Sequence, residues 1–106
     1  MSINVGLLGL GNIGTGVAEY LRDHGHREGL HLKAVADADP AKLRAVALPN
    51  VLTTGDAYGI IRDPQVQIVV ELIGGEHPAK EYVMEAIEHG KAVVTANKFT
   101  ISRYAR

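Results

Sequence analysis

Residues 5–14 read V-G-L-L-G-L-G-N-I-G, an apolar run that breaks into three glycines and then continues with a helical pattern. Gly9, Gly11 and Gly14 have the G-x-G-x-x-G spacing of a strand that turns sharply into a helix. A missing Cβ at Gly9 permits the tight turn, at Gly11 it lets a pyrophosphate approach the backbone, and at Gly14 it lets the helix pack on the strand. The motif predicts a dinucleotide-binding turn, with phosphates at the positive end of the helix dipole.

The flanking sequence supports this prediction, because an isolated G-x-G-x-x-G is a weak signal in a chain with 12 glycines. Residues 3–8 are apolar and β-branched enough for a buried strand. A second apolar run, residues 31–37, ends in Asp37, where an acidic residue typically hydrogen-bonds the adenosine ribose. The alternative is a glycine-rich turn followed by a solvated aspartate. The apolar residues expected to share the packed face of the first helix are Ile13, Val17, Ala18 and Leu21.

Length and composition limit the classes of protein that fit this chain. Its 106 residues suffice for one small domain, and the apolar share of 46% supports a core. A net charge of −1 with both signs interspersed indicates no basic surface for nucleic acid or an anionic membrane. No cysteine occurs, and no apolar run approaches the ~20 residues that span a bilayer. Without a leader-like N-terminus, we expect a soluble, cytoplasmic protein.

Strand-like and helix-like segments alternate along the rest of the chain. Asp39-Pro40 is typical of an N-cap followed by the first helical residue, and Gly90 is typical of a left-handed helix end. Such alternation requires a parallel sheet, so we predict an α/β, Rossmann-type doubly wound sheet with three α/β/α layers. The predicted strands are residues 3–8, 31–37, 51–53, 66–73 and 91–95, and the later helices are 40–47, 55–62 and about 78–90.

Three segments resemble the N-terminal NAD(P)-binding domain of homoserine dehydrogenases. They are residues 5–17 (V-G-L-L-G-L-G-N-I-G-T-G-V), residues 69–75 (V-V-E-L-I-G-G) followed by Pro78-Ala79, and residues 90–98 (G-K-A-V-V-T-A-N-K). The second and third are more specific than the glycine motif, because other dinucleotide folds do not share them in this order. The resemblance covers nearly the whole chain. It implies reduction of aspartate 4-semialdehyde to homoserine with NADH or NADPH, on the route to threonine and methionine.

The resemblance also implies roles for individual residues of this chain. Lys98 is the predicted catalytic residue, because an ammonium at the end of the fifth strand could polarise a carbonyl oxygen or assist proton transfer to it as hydride arrives. The alternative is a solvated lysine at the start of a helix. The residues implied to contact the cofactor are Gly9, Asn12, Ile13 and Gly14 at the pyrophosphate, Gly74 and Gly75 on the path to the nicotinamide ribose, and Asn97 beside the nicotinamide.

Homoserine dehydrogenases continue into a substrate-binding domain, which supplies a further catalytic lysine and an acid. We therefore expect residues 1–106 to be an incomplete NAD(P)-binding domain that lacks the substrate domain and binds cofactor without turnover. Residues 99–106 are predicted to form the opening turns of another helix. Because the missing part usually returns strands to the sheet, we expect an exposed sheet edge and a homo-oligomer.

The preference between NAD and NADP rests on opposing charges. Asp37 favours NAD, because a carboxylate pairs with ribose hydroxyls and repels a 2′-phosphate. Lys42 and Arg44 follow a few residues later and could reach a phosphate, so NADP stays open. Asp39 is expected to cap its helix, and Glu71 to be paired or near the end of its strand.

Other functions are weaker interpretations of the same sequence. A free-standing dinucleotide-sensing module would need the same fold, and a related aspartate-type dehydrogenase is disfavoured by the T-A-N-K segment. An H-x-H pair alone is a poor metal site, so no metal site is expected at His24 and His26.

Overall fold

The computed structural model describes residues 2–75 and 77–96, which fold around a parallel sheet. Strand order across the sheet is β3-β2-β1-β4-β5. The chain runs outward from β1 to β3 and then crosses back to place β4 on the other side of β1. This reversal is the topological switch point of a doubly wound fold. The strands are β1 (Ile3–Leu8), β2 (Leu30–Ala36), β3 (Leu52–Thr54), β4 (Ile68–Glu71) and β5 (Ala92–Thr95).

The helices are α1 (Asn12–His24), α2 (Pro40–Ala45), α3 (Ala57–Ile61) and α4 (Ala79–Glu88). Local sequence explains where α2 begins and where α4 ends. The Asp39 carboxylate accepts the N–H of Ala41 at 2.9 Å, which confirms the predicted N-cap. After α4, Gly90 has a φ of 76°, as predicted for a left-handed position that glycine adopts without strain.

Two apolar clusters on opposite faces of the sheet confirm the three-layer prediction. Leu7 packs with α1 and α2 residues on one face, whereas its neighbour Leu8 packs with α3 and α4 residues on the other. Successive strand residues point to opposite faces, so one central strand supplies both cores. Gly6 of β1 allows close packing, because a Cβ there would lie 2.3 Å from Ile60 Cγ2 of α3.

The structure corrects several predicted boundaries and one predicted face. β4 is Ile68–Glu71 instead of 66–73, because Val66 belongs to a turn in which its N–H bonds to the Asp63 carbonyl at 3.1 Å. α2 ends at Ala45 instead of residue 47, because Val46 is extended. Ile13 was predicted on the packed face of α1 but is 67% exposed. The predicted helix at 99–106 lies outside the described residues.

Candidate dinucleotide site

A cleft of about 280 Å³ opens at the carboxyl ends of β1, β2 and β4. The glycine turn after β1 forms its floor. Asp37 and Lys42 line one side, and Gly74, Pro78 and Tyr82 line the other. In open α/β sheets this edge, beside the switch point, is where ligands bind.

Steric contacts require glycine at two positions of the turn. Gly9 has a φ of 102°, and a Cβ there would lie 2.9 Å from the carbonyl carbon and oxygen of Leu72. A Cβ on Gly14 would lie 2.0 Å from the Gly9 carbonyl oxygen. The turn therefore packs closely against the backbone after β4 and against the start of α1. This is the geometry predicted for Gly9, which permits the tight turn, and for Gly14, which lets the helix pack closely.

Gly11 differs, because a Cβ there would meet no described atom within 4 Å. It is the exposed N-cap of α1, and the next two residues, Asn12 and Ile13, are also exposed. The first N–H groups of a helix have no intrahelical partner, and α1 carries no acidic residue in its first turn. The start of α1 thus presents donors and a positive dipole end to the cleft, suited to a phosphate.

Asp37 holds the glycine turn while it lines the cleft. Its Oδ2 accepts the N–H of Leu10 at 2.7 Å, and its Oδ1 accepts the N–H of Asp39 at 2.8 Å. The Gly9 N–H also bonds to the Ala36 carbonyl at 2.8 Å. The end of β2 is therefore fixed to the turn after β1, with the half-buried carboxylate at the cleft wall.

Lys42 on α2 brings a cation to the same side of the cleft, whereas Arg44 is not among the lining residues. Lys42 is exposed and follows the helix cap at Asp39. Asp37 and Lys42 thus present opposite charges at the end of the cleft where the adenosine ribose is expected.

The opposite wall contains Pro78 and Tyr82, which the sequence prediction did not include. The Tyr82 ring packs edge-on against Tyr58, with ring centroids 5.0 Å apart, and burial raises the pKa of its hydroxyl. Gly74 lines the cleft; Gly75 is exposed with a φ of 83° and is not among the lining residues. Tyr82 is the one aromatic residue of α4, and its place among the apolar residues of that helix indicates core packing, which does not reveal that it faces a ligand cleft.

Two acidic residues near this edge have structural partners. The buried Glu71 carboxylate accepts the N–H of Ile73 at 2.7 Å and the hydroxyl of Thr95, which confirms the expectation that it is paired at the strand end. The exposed Glu81 lies 2.7 Å from His77 Nδ1, and this hydrogen bond lowers the Glu81 pKa.

Two absences hold for the described part of the chain. Within residues 2–75 and 77–96, no three His, Cys, Asp or Glu side chains are grouped closely enough to hold a metal ion. No helix in those ranges has the length and apolarity needed to cross a membrane. Asn97 and Lys98 of the predicted site lie outside the described residues.

A doubly wound sheet, a glycine turn held at its switch point and a helix start open to a phosphate define a dinucleotide-binding domain. Residues 9–106 match the family described as the NAD binding domain of homoserine dehydrogenase. The chain belongs to this family, and its ligand is a nicotinamide dinucleotide.

Individual relatives agree with this assignment. The chain is 44% identical over 108 residues to homoserine dehydrogenase of Synechocystis sp. and 41% identical over 109 residues to that of Bacillus subtilis. These alignments cover 98% and 97% of the chain but 25% of each relative. A crystal structure of homoserine dehydrogenase from Thiobacillus denitrificans is similar with a TM-score of 0.81 and 40% identity, over 99% of this chain and 26% of that one. The chain therefore spans about a quarter of the length of these relatives.

Proposed function

We propose that this domain is the cofactor-binding part of a homoserine dehydrogenase, an oxidoreductase that interconverts aspartate 4-semialdehyde and homoserine. The bound dinucleotide supplies or accepts hydride at its nicotinamide. We assign cofactor binding to these residues, which span about a quarter of the length of the relatives. Family membership and the open glycine turn support this proposal.

The open space at Gly11 is the observation that carries the proposal. The pyrophosphate lies over Gly11 and the exposed start of α1, where backbone N–H groups replace its hydration. Gly9 and Gly14 shape the turn beneath it. The adenosine occupies the side of Asp37, and the nicotinamide extends toward Gly74, Gly75 and the end of β5.

We further propose that NAD is preferred over NADP. The Asp37 carboxylate is fixed by the Leu10 N–H at 2.7 Å, so its charge stays at the cleft wall. A fixed carboxylate accepts hydrogen bonds from ribose hydroxyls and repels a 2′-phosphate. Lys42 on the same side reduces this repulsion without removing it.

Asn97 and Lys98 belong to the proposal through the family resemblance. Asn97 contacts the nicotinamide end of the cofactor. Lys98 is the catalytic residue, and its ammonium polarises the carbonyl oxygen of the aldehyde and stabilises the negative charge that develops there. We also propose a cytoplasmic location and a homo-oligomeric state.

The test is a titration of NADH into the purified chain, followed by the increase in nicotinamide fluorescence. Gly11→Val should abolish saturable binding while leaving the circular dichroism spectrum of a folded protein, because a Cβ at this position meets no described atom within 4 Å. Gly16→Val is the matched control, since Gly16 is exposed on α1 and its Cβ also meets no described atom within 4 Å. Unchanged NADH affinity in Gly11→Val would overturn the proposed pyrophosphate position.

A further inference from the structure

Glu71 is the one charged residue that is fully buried in residues 2–75 and 77–96, with 0% of its surface exposed. It is the last residue of β4 and does not line the cleft. Burial of a carboxylate carries a large desolvation cost, which a well-packed apolar residue would avoid. A role other than stability therefore has to be considered for it.

The contacts of Glu71 connect two neighbouring strand ends. Its Oε2 accepts the N–H of Ile73 at 2.7 Å, which fixes the backbone immediately after β4. Its Oε1 accepts the hydroxyl of Thr95, the last residue of β5 and the direct partner of Glu71 in the parallel ladder. One side chain therefore sets the relative position of the backbone after β4 and the last residue of β5.

The backbone after β4 and the end of β5 lie on the side of the switch point away from Asp37. Strand order places β4 and β5 beyond β1, opposite β2. Gly74 follows Ile73 directly, and Asn97 follows Thr95 by two positions. With the adenosine proposed on the Asp37 side, the backbone after β4 and the end of β5 flank the nicotinamide half of the cofactor.

We infer that Glu71 and Thr95 are a pair of positioning residues for the nicotinamide half of the site. The hydrogen bonds of Glu71 hold the backbone at Ile73, next to Gly74, and the end of β5 at Thr95 at a fixed separation before cofactor binds. A preorganised segment binds more tightly, because less binding free energy is spent on ordering it. The inference rests on the proposed function. It predicts that loss of the pair weakens binding of the nicotinamide half of the cofactor and leaves binding of the adenosine half unchanged.

The experiment compares NADH with ADP-ribose, which has the same adenosine and pyrophosphate but no nicotinamide, by calorimetric titration of the 106-residue chain. Thr95→Val keeps the β-branched shape and removes only the hydroxyl. NADH affinity should fall about tenfold, the size of one hydrogen bond to a charged group, while ADP-ribose affinity changes less than about twofold. Thr95→Ser should restore NADH affinity. Thr53→Val is the control, because Thr53 is an exposed strand residue outside the cleft.

Two variants of Glu71 test the same pair from its other side. Glu71→Gln can still accept the Ile73 N–H and donate to Thr95 Oγ1, so it should keep most of the preference for NADH over ADP-ribose. Glu71→Ala removes the hydrogen bonds to Ile73 and Thr95. The folded variant should lose the preference for NADH over ADP-ribose.

Each outcome supports or overturns the inference. A selective loss of NADH affinity in Thr95→Val supports it. An equal loss for both ligands, no loss for either, or a wild type that binds NADH no more tightly than ADP-ribose overturns it while leaving the dinucleotide site intact. A folded wild type that binds neither ligand overturns the proposed function as well.

Discussion

The N–H of Leu10 and the Oδ2 atom of Asp37 lie 2.7 Å apart although 27 positions separate the two residues in sequence. Leu10 is within the glycine turn, and Asp37 follows the last residue of β2. The same carboxylate that faces the expected ribose therefore also sets the shape of the turn at which we propose that the pyrophosphate binds. Substitution of Asp37 should disturb both functions together.

Asp37→Asn should weaken NADH binding about tenfold, because an amide offers one acceptor oxygen where two backbone N–H groups need one each. NADPH binding should weaken less, since the variant also removes a charge that repels the 2′-phosphate. Parallel fluorescence titrations measure both affinities. Asp39→Asn is the control, because it removes a charge two residues away while asparagine still caps α2. Equal losses for NADH and NADPH would contradict the proposed preference.

Lys42→Ala should weaken NADPH binding about threefold, the effect of one exposed ionic contact, and leave NADH binding unchanged. The side chain lines the cleft beside Asp37, where only NADPH carries a phosphate. Arg44→Ala, on the same helix but outside the cleft, should alter neither affinity. The expected salt dependence is a stronger decline of NADPH binding than of NADH binding as ionic strength rises. The idea fails if Arg44→Ala reproduces the Lys42→Ala effect.

Gly14→Ala should lower the free energy of unfolding by about 1–3 kcal/mol, because its Cβ would lie 2.0 Å from the backbone oxygen of Gly9. Gly16→Ala, two positions further along α1, should instead raise it by about 0.5–1 kcal/mol, since its Cβ meets open space and alanine favours a helix. Thermal melts of the two variants provide the comparison. A similar melting temperature for both would mean that α1 does not pack on the turn as closely as described.

Glu85→Gln should flatten the loss of stability in acid. Arg62 Nε lies 2.5 Å from Glu85 Oε2, and this hydrogen bond lowers the Glu85 pKa. A carboxyl with a lowered pKa stabilises the fold above its unfolded pKa of about 4.3, and that contribution is lost as pH falls through the folded value. Melting temperatures across pH 3–7 should therefore decline less steeply for Glu85→Gln than for the wild type. Glu19→Gln, exposed on α1, is the control.

Hydrophobic periodicity, helix-capping residues and glycine positions in the sequence predicted most of the fold. β1 has the predicted bounds, and the glycines of the turn have the geometry expected from their spacing. β4 was predicted too long because Val66 and Ile73, though apolar, contact the core from outside the strand, Val66 from the turn that precedes it. Hydrophobicity reports burial, whereas a strand also requires ladder hydrogen bonds, which the sequence pattern does not reveal.

The site was predicted less completely because it depends on contacts between distant residues. The position of Asp37 followed from its spacing, but its bond to Leu10 requires the parallel alignment of β1 and β2. Ile13 has helical spacing with Val17, yet it lies in the first turn beside the exposed Gly11 and Asn12. Tyr82 reaches the cleft only because α4 packs against α3, where Tyr58 supports its ring.

The space between Gly6 and Ile60 is already filled by the Ile60 side chain. With a Cβ on residue 6 lying 2.3 Å from Ile60 Cγ2, an alanine at position 6 becomes acceptable only if position 60 gives up volume. Homologous sequences should accordingly exchange bulk between these two positions, pairing a larger residue 6 with a smaller residue 60. The distance between the sheet and α3 can thus stay the same in homologues while both residues change.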